Sequence, residues 1–170
     1  ENGRLNDPLL RDSFIKRVYI YDEWQSLMKA GLTVNDLLNF HSRHKMVLLA
    51  HSQPIYRKLG PLVAKTTKQN LVGQAELYIH LFMKALRETS SRANNTNVLM
   101  HIQGHLKEFL SKADKAELKQ CIMDYKQGLQ PILSPLTLLK HHFKNNPSSF
   151  IAKQSYLDPY PKTMALRIAI

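Results

Sequence analysis

Apolar residues recur along this chain at steps of three and four residues, and this helical spacing constrains the fold more than any other feature of the sequence. The alternation of apolar and polar residues that marks a half-buried strand is not convincing at any point. A length of 170 residues is enough for one hydrophobic core. The sequence therefore predicts an all-α fold, a single compact bundle of six to eight helices with a proline-containing C-terminal tail.

Capping residues predict where the first two helices begin and end. Asp7 followed by Pro8 is typical of a helix start, and Gly31 is typical of a helix end. Thr33 with Asp36 three residues later predicts a capping box for a second helix, expected to run to about residue 51. The apolar stripe of the first helix consists of Leu10, Phe14, Val18, Tyr21 and Met28.

Prolines and polar clusters predict the later boundaries. Pro61 is expected to end a short third helix. The stretch SSRANNTN is predicted to be a loop, with Thr96 or Asn97 capping the helix that follows. Ser111 is predicted to start the next helix, and the last long helix is predicted after Pro135.

The chain carries 24 lysine and arginine residues against 13 acids, a formal net charge of +11, and the excess is concentrated in two tracts without acids. The first tract lies between Asp36 and Glu76, and the second lies between Asp124 and Asp158. A positive excess favours polyanionic partners such as nucleic acid, with a merely solvated basic surface as the alternative. The basic residues of the two tracts are Arg43, Lys45, Arg57, Lys58, Lys65, Lys68, Lys126, Lys140, Lys144 and Lys153.

The stretch FHSRHKMVLLAH places three histidines in a helix whose other residues are typical of a buried one. At about 100° per residue, His44 and His51 fall inside the apolar stripe, with His41 at its margin. Arg43 and Lys45 flank this stripe on opposite sides. Two interpretations stay open: the histidines are core residues bonded to backbone or carboxylate, or they line a pocket whose basic rim holds phosphate.

Metal binding and nucleophilic catalysis receive little support from the sequence. His101 and His105 have zinc-compatible spacing, but HIQGH lacks the glutamate of the H-E-x-x-H motif, and no metal site is predicted. Cys121 is the single cysteine, so neither a disulfide nor a cluster held by several cysteines can form within the chain. No catalytic residue is assigned.

The sequence also bears on where the protein acts. No apolar run approaches the ~18 residues of a membrane-spanning helix, and residues 1–8 are polar, unlike a signal peptide. We therefore expect a cytoplasmic protein.

Several stretches of the chain, taken in order, resemble the YbgA family, a family of domains of unknown function. They are LRDSFIKRVYIY, FHSRHKMVLLAHS, YRKLGPLVA, NVLMHIQGHLK, DKAELKQCIMDYKQGLQPILSPLTLLKHHF and QSYLDPYP. The resemblance extends over most of the chain, from about Leu10 to Leu166. It implies an N-terminal linker over residues 1–9 and one helical domain over residues 10–170.

The resemblance also implies a nucleic-acid context. Members of the family occur alone or fused behind a cysteine-rich iron–sulfur desulfidase domain that acts on thiolated uracil or on 4-thiouridine in transfer RNA. In those fusions the helical half is thought to help bind the RNA. The resemblance thus implies no cofactor in this chain itself, and an iron–sulfur cluster only in a fused or partner desulfidase domain. A membrane partner is not expected, and the oligomeric state stays open.

The first functional hypothesis is therefore an RNA-binding accessory module, for transfer RNA, in a thiouridine desulfidase system. Its predicted phosphate-binding residues are Arg43, Lys45, Arg57, Lys58, Lys107, Lys126 and Lys140. Its predicted pocket-lining histidines are His41, His44, His51 and His101, and its predicted stacking residues are Tyr125 and Tyr156.

Two alternatives stay open beside this hypothesis. A small enzyme acting on a nucleotide or another phosphorylated metabolite would use histidine as general acid and base, in a pocket where His44 and His51 meet His101 or His141. A protein-interaction scaffold would carry a large exposed apolar patch.

Overall fold

Eight α-helices make up the computed structural model of the chain, which describes residues 7–161 and, for Ser149, the backbone alone. They are α1 (Pro8–Ala30), α2 (Val34–His51), α3 (Gln53–Ala64), α4 (Leu71–Ala85), α5 (Arg92–Gly104), α6 (Lys112–Gln127), α7 (Leu133–Asn145) and α8 (Ser149–Ala152). No strand occurs among residues 7–161, so the predicted all-α class is confirmed. Residues 1–6 of the predicted linker and residues 162–170 of the predicted tail lie outside the described residues, while Pro8 and Leu9 already belong to α1.

The predicted caps of α1 and α2 are confirmed. The Asp7 carboxylate accepts a hydrogen bond from the Leu9 N–H at 2.8 Å, and Gly31 ends the helix in the left-handed region, at φ 87°. The Thr33 hydroxyl accepts from the Asp36 N–H at 3.2 Å, and the Asp36 carboxylate accepts from the Thr33 N–H at 2.9 Å. Both halves of the capping box are therefore present.

Helix α3 was predicted to end at Pro61, but it continues to Ala64. Pro61 has no N–H to give to the Arg57 carbonyl, and both of these residues are exposed. Leu59 and Val63, on the other side of the helix, are buried. The apolar burial of these two side chains offsets the one lost hydrogen bond.

The stretch SSRANNTN is not a loop, because α5 begins within it at Arg92 with Ser91 as its cap. The Ser91 hydroxyl accepts from the Asn94 N–H at 3.1 Å, and the Thr96 hydroxyl donates to the Arg92 carbonyl at 2.8 Å. The loop prediction was wrong because these polar side chains bond to the helix backbone instead of competing with it. Helix α7 likewise begins two residues before the proline predicted to precede it, since proline is tolerated in a first turn.

Helix α1 turns its apolar stripe away from the core. Phe14, Val18, Tyr21 and Met28 are each between 45% and 47% exposed. The Lys16 ammonium instead pairs with the Asp12 carboxylate inside the protein, and the Tyr160 hydroxyl donates to the same carboxylate. Pairing makes the burial of these charges tolerable. The buried residues of α1 are Asp12, Ser13, Lys16, Ile20 and Trp24.

Helix α2 lies at the centre of the core and packs against α3, α4 and α5. The ring centroid of Phe40 lies 5.1 Å from that of Trp24 on α1 and 5.9 Å from that of Phe82 on α4. Nine of the 18 residues of α2 are buried, His44 and His51 among them, so the predicted position of these rings inside the apolar stripe is confirmed. None of the helices in the described part of the chain is long and apolar enough to span a membrane.

Candidate nucleic-acid interface

The two acid-free tracts of the sequence meet in space where residues 150–155 pack on α2. The Gln154 side-chain amide donates to the Ser42 carbonyl at 2.8 Å, and the Ser155 N–H donates to the Arg43 carbonyl at 3.0 Å. The first of these bonds joins residues 112 positions apart. The side chains at this junction, which we call the α2–α8 surface, are Ser42, Arg43, Lys45, Phe150 and Lys153.

Phe150 supplies the aromatic ring of the α2–α8 surface. The Lys45 ammonium lies 4.4 Å from the centroid of this ring, a cation–π contact. The His105 ring lies 5.1 Å from it, at an interplanar angle of 31°. The pKa of His105 is lowered, first by partial burial and then by the charges of His101 and Lys45, which favours the neutral ring. The Phe150 ring thus contacts one cation and one neutral imidazole.

A cleft of about 400 Å³ lies beside the Phe150 ring, bordered by α1, α2 and α8, and we call it the Phe150 cleft. Its lining combines an aromatic ring, an amide, a hydroxyl and charges of both signs. Asp36, Asn39 and Arg43 lie at i, i+3 and i+7 along α2 and therefore share one face of the helix. The residues that supply these groups are Phe150, Asn39, Ser42, Asp36, Glu23, Arg43 and Lys153.

Arg43 and Glu23 form an ion pair within the cleft. The Nε atom of Arg43 lies 3.3 Å from Oε2 of Glu23, and the arginine side chain is 46% exposed. Burial opposes the ionisation of Glu23, but the adjacent His44 ring and then the Arg43 guanidinium lower the pKa of this carboxyl overall. Within residues 7–161 the two terminal amino groups of Arg43 make no hydrogen bond, so they remain available to an anion.

His44 is buried between Ser155 and Glu23. Its Nδ1 lies 2.7 Å from Ser155 Oγ, while its Nε2 lies 3.2 Å from Glu23 Oε2 but is not aligned for a hydrogen bond. Burial lowers the pKa of His44, and the carboxylate of Glu23 offsets this only in part. Serine, imidazole and carboxylate in this order are also found at nucleophilic sites. His44 is 1% and Ser155 is 3% exposed. We therefore interpret their contact as one that holds residues 150–155 against α2.

His41 lies next to this arrangement on α2. Its Nδ1 is 3.3 Å from the Tyr78 hydroxyl. Burial, followed by the charges of Lys45 and His44, lowers the pKa of His41 to about 4. The ring is therefore neutral at neutral pH.

The other two predicted pocket histidines have different surroundings. The Nδ1 atom of His51 lies 2.6 Å from the carbonyl oxygen of Glu88. His101 is exposed, and its ring centroid lies 6.1 Å from that of His105. His44 and His51 thus take the positions expected of core histidines bonded to their neighbours.

The predicted phosphate-binding residues are distributed over several helices. Arg43 and Lys45 belong to the α2–α8 surface, whereas Lys140 pairs with Asp158, at 2.5 Å from Nζ to Oδ1. The remaining four are exposed: Arg57 and Lys58 on α3, Lys107 after α5 and Lys126 on α6. Lys153 joins the first pair at the surface; it belongs to the second acid-free tract but was not among the predicted phosphate-binding residues.

The two predicted stacking tyrosines belong to the core, since Tyr125 is 4% and Tyr156 is 1% exposed. The Arg92 guanidinium lies 4.8 Å from the Tyr125 ring centroid, and the Tyr156 hydroxyl donates to Asn95 Oδ1 at 2.8 Å. The aromatic ring of the α2–α8 surface is that of Phe150, a partly buried residue that sequence reasoning missed. Tyr125 and Tyr156 lie in the same acid-free tract, so the sequence offers no signal that separates Phe150 from them.

Within residues 7–161 no group of three or more His, Cys, Asp or Glu side chains could hold a metal ion. Cys121 is half-buried, and its pKa is raised by burial and then by the charges of Asp124 and Glu117. As the single cysteine of the sequence, it does not provide the set of thiolates that an iron–sulfur cluster requires.

Comparison with known proteins shows the family to which this helical chain belongs. The chain belongs to the family described as "Protein of unknown function (DUF1722)", which matches residues 45–161, the second part of α2 together with α3 to α8. It is also 38% identical to "Uncharacterized protein YbgA" of Escherichia coli strain K12 over 157 residues, which are 92% of this chain and 93% of that protein. The predicted resemblance to the YbgA family is therefore confirmed. No solved structure matches the chain.

Proposed function

We propose that the chain is an RNA-binding module that holds phosphates and an unstacked base on the α2–α8 surface. The observation that carries the proposal is the meeting of the two acid-free tracts. Docking of residues 154 and 155 on α2 brings Lys153 and Phe150 of the second tract into one cleft with Arg43 of the first. Positive charge that is dispersed in the sequence is thereby gathered around one aromatic ring.

Cations beside an aromatic ring are the combination that unpaired RNA requires. Arginine and lysine bind phosphate oxygens, and each contact releases counterions, which makes the affinity fall with salt. An aromatic face stacks an exposed base, and such stacking contributes ~1–3 kcal/mol per base. In this proposal Arg43 and Lys153 hold phosphates, Lys45 adds charge above the ring, and Phe150 stacks the base.

The RNA in this proposal is transfer RNA, whose loops expose unpaired bases, and the system is thiouridine desulfidation. Both follow from the family resemblance. The chain would hold the RNA for an iron–sulfur desulfidase domain or subunit, which would carry out the chemistry. Such a module would act in the cytoplasm.

Fluorescence anisotropy with labelled transfer RNA, across a salt series, tests the proposal. We compare 4-thiouridine-containing transfer RNA, unmodified transfer RNA and a matched DNA duplex. The proposal expects tighter binding of the RNAs than of the duplex. Changing Lys45 and Lys153 together to Met, which keeps their apolar stems, should weaken RNA binding and reduce the slope of log K against log salt by about two.

Lys119→Met, which removes one positive charge where the double variant removes two, is the control. Lys119 is exposed on α6, where acidic and basic residues alternate, so its removal changes net charge without touching the α2–α8 surface. It should leave the affinity for RNA nearly unchanged. If the double variant binds RNA as the unaltered chain does, the proposed surface is wrong.

A second candidate function, protein interaction, is favoured by the outward stripe of α1. Phe14, Val18 and Tyr21 border a shallow hollow together with Met83 of α4. Adjacent exposed apolar side chains of this kind mark interaction surfaces. The partner in this second candidate function is another copy of the chain, with α1 of one copy packed against α1 of the other. Sedimentation velocity of the unaltered chain and of Val18→Lys tests it. A dimer that the substitution dissociates supports this candidate, and a monomer at all concentrations removes it.

A further inference from the structure

The Phe150 cleft carries charges of both signs, which a surface for phosphate alone does not require. Asp36 and Glu23 contribute carboxylates, and Arg43 and Lys153 contribute cations. A ligand that offers N–H donors as well as a negative group would complement both kinds of charge. We infer that the cleft binds one nucleotide turned out of the RNA strand, with the base against Phe150, an inference that rests on the proposed function.

Asp36 is arranged to accept a hydrogen bond from the edge of a base. Its Oδ2 accepts from the Thr33 N–H at 2.9 Å and from the Thr33 hydroxyl at 2.6 Å. Its Oδ1 makes no hydrogen bond within the described part of the chain. The bonds from Thr33 also lower the pKa of Asp36, which keeps the carboxylate ionised as an acceptor. The capping box of α2 therefore leaves one carboxylate oxygen of this cleft-lining residue without a hydrogen bond from the described residues.

Asn39 lies one turn further along the same face and is exposed. A side-chain amide presents a donor and an acceptor side by side, which is how proteins read the edge of a base. The Ser42 hydroxyl, which also lines the cleft, adds a group that can donate or accept. Asp36, Asn39 and Ser42 thus form a polar edge on α2.

The size of the cleft and its aromatic wall fit the same ligand. Its volume of about 400 Å³ lies in the lower part of the range of ~300–1,000 Å³ that small-molecule sites occupy. Enzymes that extrude a base hold it by stacking and by hydrogen bonds to its edge, and Phe150 and the polar edge offer both. Lys153 and the terminal amino groups of Arg43 then hold the phosphate.

Titration with the four nucleoside 5′-monophosphates, ribose 5-phosphate and inorganic phosphate tests this inference. Binding is followed by isothermal calorimetry up to millimolar ligand and by displacement of labelled RNA. We expect at least one nucleotide to bind about tenfold more tightly than ribose 5-phosphate, because only the nucleotide has a base to stack, and to displace the RNA. Asn39→Ala should reduce this preference, while Asn35→Ala, also exposed on α2, should leave it unchanged.

The outcomes separate this inference from the proposed function. If no nucleotide binds more tightly than ribose 5-phosphate while RNA still binds, the inference is overturned and the RNA-binding proposal stands. If nucleotides bind but RNA does not, the cleft is a site for free nucleotides and the RNA-binding proposal fails. Equal losses in the Asn35 and Asn39 variants would overturn the role of the polar edge.

Discussion

The Nδ1 atom of His44 lies 2.7 Å from the hydroxyl oxygen of Ser155, and this contact joins residues 111 positions apart. Both side chains are buried, so a buried imidazole nitrogen depends on one hydroxyl group for its hydrogen bond. The same serine donates its backbone N–H to the Arg43 carbonyl, at 3.0 Å. The position of the second acid-free tract on α2 therefore depends on a few polar contacts, whose strength can be measured.

Ser155→Ala should lower the free energy of unfolding by about 1–3 kcal/mol. The substitution leaves Nδ1 of His44 buried without its partner, and an unsatisfied buried polar group costs about this much. Urea denaturation followed by circular dichroism measures the change. Ser26→Ala is the control, since Ser26 is exposed and its hydroxyl only donates to the Asp22 carbonyl in its own helix. Equal effects of the two substitutions would show that the Ser155 contact contributes nothing specific.

Stability should fall as the pH is lowered from about 7 towards 4.5. The pKa of His41 is about 4 in the folded protein against an ordinary value of 6.5, and the pKa of His44 is lowered as well. In this window the unfolded chain binds more protons than the folded one, so acid favours unfolding, with His41 alone contributing about 2 kcal/mol. Urea denaturation at pH 7, 6, 5 and 4.5 measures the trend.

His41→Gln identifies the source of this pH dependence. The variant should flatten the dependence between pH 6.5 and 4.5, because the group that resists protonation has been removed. His80→Gln, at an exposed position of α4, provides the comparison and should keep the dependence of the unaltered chain. An unchanged slope in the His41 variant would contradict the assignment.

Substitution by alanine should change the free energy of unfolding in opposite directions at two glycines that lie at helix ends. Gly128 follows α6 at φ 83°, where a side chain is strained, so Gly128→Ala should cost ~1–2 kcal/mol. Gly104 is the last residue of α5, without a positive φ and with no atom within 4 Å of an added Cβ, so Gly104→Ala should stabilise by ~0.5 kcal/mol. Thermal unfolding of both variants measures the two signs, and destabilisation by Gly104→Ala would reveal a contact that the structure lacks.

The orientation of α1 can be tested by two substitutions on its opposite faces. Ile20 is 1% exposed, so Ile20→Ala should cost about 2–5 kcal/mol through the cavity that it leaves. Val18 is 47% exposed, so Val18→Ser should change the free energy of unfolding by no more than ~0.5 kcal/mol. Chemical denaturation of both variants decides the matter. A large loss for Val18→Ser would mean that the apolar stripe faces the core after all.

Sequence reasoning was most successful where the determining interactions are local. The capping box of Thr33 and Asp36 and the buried positions of His44 and His51 follow from residues within a few turns of each other. It failed to predict which face of α1 is buried. Asp12 and Lys16 are buried as an ion pair, whereas the spacing of apolar residues predicts that both are exposed. Hydrophobic periodicity counts residue types and does not detect charges that neutralise each other.

The α2–α8 surface could be predicted only in part, and the reason differs from that for α1. Arg43 and Lys45 were found from the charge pattern around them, but the place of Phe150 depends on Gln154 and Ser155 docking over 100 positions away from their partners. A single sequence carries no local signal for such a contact. Tyr125 and Tyr156 were selected by residue type and neighbouring charge, yet the core encloses both.

The long sequence separation between Arg43 and Ser155 has a consequence for the newly made protein. Synthesis proceeds from the N-terminus, so α2 leaves the ribosome long before residues 150–155 are added. Until then the first acid-free tract is present without its aromatic ring and without Lys153. On the proposed function, a partly made chain therefore lacks a complete RNA site while it is still surrounded by ribosomal RNA and transfer RNA, and acquires that site only when α8 docks on α2.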